Sequence, residues 1–310
     1  MKQVIALKLL PTLEQAQALR STMEAFNAAC NYLAGIAWEH RMANKYKLQE
    51  LEYKAVREQF GLSSQLTVRA IAKTCEAFKR DKNIKPQFKP HGAITYDARL
   101  MSFKGLDTVS LLTMEGRALV KMVFGQYQAG RMDRIRGQAD LILRNGVFYL
   151  YATIDLPEPP QTSSDEFLGI DLGVANIAAD SDGEVHSGKV VNAVRHRHRR
   201  LRAKLQKKGT KSARRRLKKL SGKERRFAKD VNHVLSKRIV AKALDTGRAI
   251  AVEELTKIRE RITVRRRQRA TLHSWSFHQL RFFLEYKAAM AGVMIVAVNP
   301  SHGCLSFSNP

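Results

Sequence analysis

The chain has 310 residues, of which 44% are hydrophobic, so it contains enough apolar side chains for more than one packed core and is not a disordered chain. Lysine and arginine number 55 against 28 acidic residues, which gives a net charge of +27 at pH 7. Such an excess of positive charge predicts a polyanionic partner. A membrane is disfavoured as that partner, because the late apolar run AGVMIVAV is far too short to span a bilayer.

The cysteine content and the N-terminal residues indicate the cellular compartment of the protein. Cys30, Cys75 and Cys304 have no CxxC partner, which is typical of a reducing cytoplasm and excludes a cysteine-rich zinc site. The opening MKQVIALKLLP is interrupted by Lys8 and stopped by Pro11, unlike a signal peptide. We therefore expect a cytoplasmic protein without zinc.

The N-terminal part of the chain predicts a strand and then helices. Residues 2–10 alternate between apolar and polar side chains, as in a short strand. Thr12 can cap a following helix and Gln15 can complete a capping box. A further helix is expected over residues 63–80. We interpret residues 11–84 as a small helical bundle, with a helix-turn-helix carrying a recognition helix as the alternative.

The middle of the chain predicts a compact β-barrel. Residues 85–156 form short segments with strand character, and a hairpin is expected around Asn145-Gly146, the preferred type I′ dipeptide. The opening strand of residues 2–10 is expected to join this barrel. A linker rich in proline and serine, PEPPQTSSDE at 157–166, marks the clearest domain boundary.

The last part of the chain, residues 167–310, predicts an RNase H-like α/β domain. FLGIDLG, VANIAADSD and EVHSGKVV are expected to form an antiparallel meander of strands. A basic helical insertion, the strand AIAVEEL, a helix over 274–292 and the strand VMIVAVN follow. The predicted fold is therefore α+β and multidomain, with a helical lobe, a β-barrel and an RNase H-like domain.

Two carboxylates of this domain are candidate metal ligands. Asp171 lies within an apolar strand, and Glu253 lies at the end of a later strand that neighbours it in an RNase H-like sheet. Converging carboxylates repel each other unless a cation neutralises them, and hard oxygen ligands favour Mg²⁺ or Mn²⁺. The alternative is that Asp171 caps a turn and that Glu253 and Glu254 form a solvated strand end. We favour the metal site, where paired ions can hydrolyse a phosphodiester.

Two basic stretches predict phosphate contacts. Between residues 195 and 226, seventeen of thirty-two residues are lysine or arginine and Glu224 is the one acid. A second stretch, TKIRERITVRRRQR, occupies residues 256–269. Self-repulsion on this scale indicates neutralisation by phosphates, which are gripped without regard to sequence. Among nearby aromatic residues, Trp275 is the one expected to reach a base. The predicted nucleic-acid-binding residues are Arg199, Arg200, Lys207, Lys208, Lys211, Arg214, Arg215, Arg216, Lys218, Lys219, Arg265, Arg266, Arg267 and Trp275.

Several segments in order carry a resemblance to the TnpB proteins of bacterial insertion sequences, which are described as OrfB-type transposases and are similar to type V CRISPR effectors. The segments are LPTLEQAQALRSTMEAFNAACNYL, GIDLGVANIAADSDG, AKLQKKGTKSARRRLKKLSGKERRFAKDVNHVLSKRIV, IAVEEL and WSFHQLRFFLEYKAAMAGVMIVAVNP. The resemblance implies an RNA-guided DNA endonuclease with a RuvC-type active site and Mg²⁺ (or Mn²⁺) as cofactor. A helical lobe and a wedge-like barrel would grip the guide RNA and the target DNA.

The same resemblance assigns roles to the acidic residues. Asp171 matches the first catalytic carboxylate and Glu253 the second, with Glu254 ranked lower as a metal ligand. In the family, the strand ending in NP precedes a four-cysteine zinc ribbon and a third catalytic aspartate. Here VNP is followed by SHGCLSFSNP, and no acid follows Glu285.

We therefore expect a chain truncated before the ribbon, with an incomplete nuclease site unless Glu254 replaces the third carboxylate. The alternatives are a guide-RNA- and DNA-binding repressor without catalysis, a helix-turn-helix transposase-type DNA-binding protein, and a decayed reading frame.

Overall fold

The computed structural model of the protein describes residues 1–161, 164–173, 175–254 and 277–298. Its chain divides into two units, Met1–Leu156 and Pro157–Pro310, and the division falls where the predicted linker begins. The expected helical lobe and barrel therefore lie in one unit, because the opening strand is an integral part of the sheet that follows the helices. Among the helices in the described ranges, none is both long and apolar enough to cross a membrane.

The first unit contains a seven-stranded sheet that forms a nearly closed barrel. Its strand order is β2-β6-β7-β1-β5-β4-β3, and every pairing is antiparallel. The strands are β1 (Lys2–Leu10), β2 (Ile94–Tyr96), β3 (Met101–Lys104), β4 (Thr108–Thr113), β5 (Gly116–Val123), β6 (Ile135–Arg144) and β7 (Val147–Asp155).

Strand β1 occupies the middle of this sheet, as the sequence predicts. Its side chains alternate, and Ile5, Leu7 and Leu9 are buried. The hairpin between β6 and β7 turns at Asn145 and Gly146, whose φ angles are +52° and +80°. Two positive φ angles in succession are what a type I′ turn requires, so the predicted hairpin is confirmed.

Three helices precede most of the barrel strands: α1 (Leu13–Glu39), α2 (Lys45–Phe60) and α3 (Ser64–Arg80). Helix α1 begins as predicted, because Thr12 Oγ1 accepts from Gln15 N and the Gln15 side chain accepts from Thr12 N. Side chains of α1, among them Phe26 and Cys30, are fully buried. The predicted helical bundle is therefore confirmed.

Helix α3 differs from a recognition helix in having long polar side chains that are engaged within its own unit. Only three residues separate it from α2, as in a helix-turn-helix. However, Arg69 is held in an ion pair with Asp97 at 2.8 Å, and Lys73 donates to Asn27 Oδ1. Its long polar side chains thus serve packing within the unit, which disfavours the helix-turn-helix alternative.

The second unit contains a five-stranded sheet flanked by helices. Its strand order is β10-β9-β8-β11-β12, with β8, β9 and β10 antiparallel and with β11 parallel to both β8 and β12. The predicted meander followed by alternating helices and strands is confirmed. The elements are β8 (Phe167–Asp171), β9 (Asn176–Asp180), β10 (Val185–Ser187), α5 (Lys189–Lys208), α6 (Lys211–Asp245), β11 (Ala249–Glu253), α7 (Phe277–Ala291) and β12 (Ile295–Val298).

Helices α6 and α7 contribute to the core of the second unit. Leu168, Ile170 and Val252 from the two central strands belong to one buried apolar cluster. Ile239 of α6 and Leu284 of α7 belong to the same cluster. Because strand side chains alternate, the residues between and after these apolar positions point to the opposite face of the sheet.

Candidate metal centre and nucleic-acid interface

Asp171 and Glu253 end two adjacent parallel strands at the same level. Ile170 of β8 is paired with Val252 of β11, so Asp171 and Glu253 are the next residues along each strand. Both side chains lie on the sheet face opposite to the buried Ile170 and Val252. The carboxyl ends of parallel strands are where open α/β sheets bind their ligands. The predicted juxtaposition of the two carboxylates is therefore present.

The electrostatics of this pair favour a cation. Burial raises the pKa of the Glu253 carboxyl, and the nearby negative charge of Asp171 raises it further. The Asp171 side chain is exposed, so solvent reaches the pair. Gly169 and Ala251, which precede the two acids on the same face, are small. A cation between the carboxylates would remove their repulsion.

Glu254 has a different environment from Glu253. Its Oε1 atom lies 2.5 Å from Arg281 Nη1 of α7, and Arg281 Nε lies 2.8 Å from Glu285 Oε1. The hydrogen bond with Glu254 is the main cause that raises the pKa of Arg281. The guanidinium neutralises Glu254, so this geometry does not support the expectation that Glu254 helps to hold the metal. Glu285 likewise joins the ion pair that fastens α7 to the end of β11.

The donor set fits a hard divalent ion with two carboxylate ligands. Carboxylate oxygens are the ligands that Mg²⁺ and Mn²⁺ prefer, and water can fill the remaining positions. Within the ranges that the structure describes, no three His, Cys, Asp or Glu side chains gather closely enough to hold an ion. Among the described residues, Asp171 and Glu253 are therefore the two carboxylates that a cation at this sheet edge could contact.

The basic insertion is a helical hairpin. Helix α5 ends at Gly209, whose φ of +64° suits glycine, and Thr210 Oγ1 caps α6 by accepting from Ala213 N at 3.1 Å. The two helices pack against each other, and Leu205 of α5 and Leu220 of α6 are buried. The predicted nucleic-acid-binding side chains on the hairpin are all exposed; they are Arg199, Arg200, Lys207, Lys208, Lys211, Arg214, Arg215, Arg216, Lys218 and Lys219.

Glu224, the acid of the basic stretch, is used inside the hairpin. Its carboxylate is paired with Arg202 and lies 3.7 Å from His198 Nδ1. Burial lowers the pKa of the neighbouring Arg195. Because Glu224 serves these inward-facing groups, it does not offset the cations on the outer surface. The hairpin thus presents an uncompensated positive surface suited to phosphates.

The remaining predicted nucleic-acid-binding residues lie outside the described residues. They are Arg265, Arg266, Arg267 and Trp275.

Two groups of interacting side chains are not among the residues predicted from the sequence. Lys242 of α6 pairs with Asp180 at 2.5 Å and with Asp182 at 3.0 Å, and Arg248 binds Asp182 with two guanidinium nitrogens. This network fastens the β9–β10 hairpin to the end of α6. The second group follows β5 of the first unit, where Tyr127 precedes Arg131 by four residues. That i, i+4 spacing is the local signal that could have identified the pair.

Comparison with known proteins gives one family match and one similar protein by sequence. Residues 149–259 match the model of the family OrfB_IS605, described as "Probable transposase". A TnpB-like protein of Methanocaldococcus jannaschii is 40% identical over 86 residues. This match covers 27% of the present chain and 31% of the archaeal protein. The family match includes β8, β11 and the whole basic hairpin.

The fold has a relative among solved structures. The chain is similar to a chain in the cryo-EM structure of the Cas12f1–sgRNA–target DNA complex, with a TM-score of 0.66 and 13% sequence identity. The similarity covers 94% of the present chain and 74% of that chain. At this identity the likeness concerns the fold, and it extends over both units.

Proposed function

We propose that the chain is a TnpB-family protein that binds a guide RNA and the DNA selected by that RNA, with a divalent metal held between Asp171 and Glu253. The observation that carries the proposal is the meeting of these two carboxylates in the same unit as the exposed basic hairpin. The strand order of that unit supports an RNase H-like, RuvC-type domain. The barrel of the first unit would then be the wedge-like domain.

The hairpin would supply affinity without sequence readout. Its exposed lysine and arginine side chains can neutralise phosphates of either nucleic acid and release counterions. No recognition helix is presented by α3, whose polar side chains are engaged within the first unit. Sequence selection would therefore come from base pairing between guide RNA and target DNA.

The carboxylate pair would place the reaction chemistry at the sheet edge. Asp171 and Glu253 would hold Mg²⁺ or Mn²⁺, which when bound supplies activation of water and stabilisation of the leaving oxygen in phosphodiester hydrolysis. Both carboxylates must be ionised to act as ligands, and the raised pKa of Glu253 ties metal binding to pH.

A second candidate function is RNA-guided DNA binding without cleavage, as in a repressor. The observation that favours it is the ion pair between Glu254 and Arg281, which leaves two carboxylates at the site in the part of the chain described. Two-metal hydrolysis uses ligands for a second ion as well. Cleavage assays in Mg²⁺ and Mn²⁺ would separate the two functions once the guide is identified.

The proposal is tested by the RNA that the protein retains in cells. The full chain, expressed with the DNA that flanks its gene, is purified in high salt and the bound RNA is sequenced. We expect a discrete structured RNA transcribed from the flanking DNA, and its loss when Arg214, Arg215 and Arg216 are replaced by glutamate. Recovery of cellular RNAs in proportion to their abundance would contradict a guided function.

A further inference from the structure

The connection between β5 and β6 carries an exposed tyrosine stacked against an arginine. It contains the short helix α4 (Gln126–Ala129), which lies between α3 and α5 in the chain, and a 3-10 turn, Met132–Arg134. Tyr127 is 53% exposed, and the guanidinium carbon of Arg131 lies 3.9 Å from the centre of its ring. We refer to these two residues as the Tyr127–Arg131 platform.

Hydrogen bonds fix the platform within the first unit. Arg131 Nη1 donates to the carbonyl oxygen of Tyr127 at 2.9 Å, and the Tyr127 hydroxyl donates to Gln3 Oε1 at 3.4 Å. The loop itself is closed by a hydrogen bond from Gly125 N to Gln128 Oε1. The ring and the guanidinium are therefore oriented before any ligand arrives, which lowers the entropy cost of binding.

The surroundings of the platform carry a net positive charge, because Arg134 and Arg136 outnumber the one acid there, Asp133. Arg134 and Arg136 are exposed, and Arg136 Nη1 donates to the carbonyl oxygens of Asp133 and Ile135. Among the residues described by the structure, the buried Arg131 Nε atom has no hydrogen-bond partner. The loop therefore offers a flat aromatic surface and two further cations within ten residues, 127–136.

We propose that the Tyr127–Arg131 platform stacks one unpaired base of a single-stranded RNA, with Arg134 and Arg136 against the adjoining phosphates. Aromatic rings and guanidinium planes bind splayed-out bases in this way, whereas bases of a duplex are already stacked on each other. RNA is the expected source because a guide contains unpaired nucleotides before any target DNA is opened. The inference thus rests on the proposed function and gives the first unit its own contact with the guide.

The test uses the full chain and a short single-stranded RNA that carries one 2-aminopurine, whose fluorescence is quenched by stacking. We expect quenching with the wild-type protein and with Tyr127→Phe, which keeps the ring. Tyr127→Leu should abolish the quenching and weaken binding about 5- to 100-fold. Tyr46→Leu is the matched control, since Tyr46 is an exposed tyrosine of α2. The slope of log K against log salt should not change in Tyr127→Leu, because stacking releases no counterions.

The outcomes separate this inference from the proposed function. If the wild-type protein binds the RNA and Tyr127→Leu matches Tyr46→Leu in affinity and quenching, the platform is only a local packing contact and the inference is overturned. If Tyr127→Leu weakens binding of a fully paired RNA duplex by the same factor, base stacking is also overturned. If the wild-type protein binds no RNA at all, the proposed function fails together with the inference.

Discussion

Arg281 Nη1 lies 2.5 Å from Oε1 of Glu254, whereas Glu253, one residue earlier, lies beside Asp171 on the other face of the sheet. Two consecutive glutamates therefore have opposite partners, a cation for one and an anion for the other. Strand alternation separates them, since neighbouring side chains point to opposite faces. The carboxylate pair and the attachment of α7 thus depend on the same two-residue segment.

The first prediction concerns Glu254→Gln. We expect this variant to lose about 0.5–1 kcal/mol of stability, because the ion pair with Arg281 is partly exposed. It should keep the rise in melting temperature that we expect Mn²⁺ to give the wild-type protein. Thermal unfolding with and without Mn²⁺ measures both effects. If Mn²⁺ no longer raises the melting temperature of Glu254→Gln, Glu254 is a metal ligand after all.

The second prediction concerns Glu253→Gln in the absence of metal. At pH 7 the variant should melt about 1–3 °C higher than the wild-type protein, because the repulsion from Asp171 is removed. A raised pKa in the folded state means that protonated Glu253 stabilises the fold below the ordinary glutamate pKa. This contribution is lost as the pH rises through the folded value. The melting temperatures of the two proteins should therefore converge in acid and separate towards neutral pH.

Addition of metal should reverse the order of the melting temperatures of the wild-type protein and Glu253→Gln. Mn²⁺ at about 100 times its dissociation constant should stabilise the wild-type protein by about 2.7 kcal/mol and leave Glu253→Gln nearly unchanged. Asp171→Asn should behave as Glu253→Gln does, and Glu254→Gln is the matched control. Equal Mn²⁺ responses in all four proteins would show that the ion binds elsewhere.

The third prediction concerns Asp182→Asn. Hydrogen bonds from Arg248 and Lys242 hold the pKa of Asp182 well below its usual range. A lowered pKa means that the ionised carboxylate stabilises the fold above the ordinary aspartate pKa, and that this contribution is lost as the pH falls through the folded value. The variant should melt below the wild-type protein at pH 7, and the difference should shrink in acid. Asp165→Asn is the control; a constant difference at all pH values would contradict the ionic role.

Features fixed by residues close in sequence could be predicted well. The capping box of Thr12 and Gln15 and the turn at Asn145-Gly146 each depend on side-chain chemistry within four residues. Asp171 and Glu253 could be paired because the strand order places their strands side by side, and the alternation then fixes their face. These are the steps in which local propensity and tertiary structure agree.

Features that depend on distant partners could not be predicted. Arg281 lies 27 residues after Glu254, and the sequence alone gives no indication that α7 would place its guanidinium there. The same applies to Lys242, which lies 62 residues after Asp180. Salt bridges of this kind are decided by how helices pack on a sheet, so a carboxylate can be recognised in the sequence while its counter-ion cannot.

The last prediction concerns the outer surface of the α5–α6 hairpin. Replacing Arg214, Arg215 and Arg216 by glutamate should weaken binding to any structured RNA, regardless of its sequence, because we expect these exposed side chains to contact phosphates. Each lost phosphate contact should reduce the slope of log K against log salt by about 0.7–0.9. A filter-binding titration of one structured RNA over a range of salt concentrations measures the change.

The matched control reverses three exposed cations on α2, Lys47, Lys54 and Arg57. Both triple variants change the net charge equally, so a general loss of electrostatic attraction would affect them alike. The hairpin variant should lose clearly more affinity and more salt dependence than the α2 variant, because only the hairpin concentrates seventeen lysine and arginine residues within thirty-two positions. A flat salt response in the wild-type protein, or equal losses in the two variants, would refute a specific role for the hairpin.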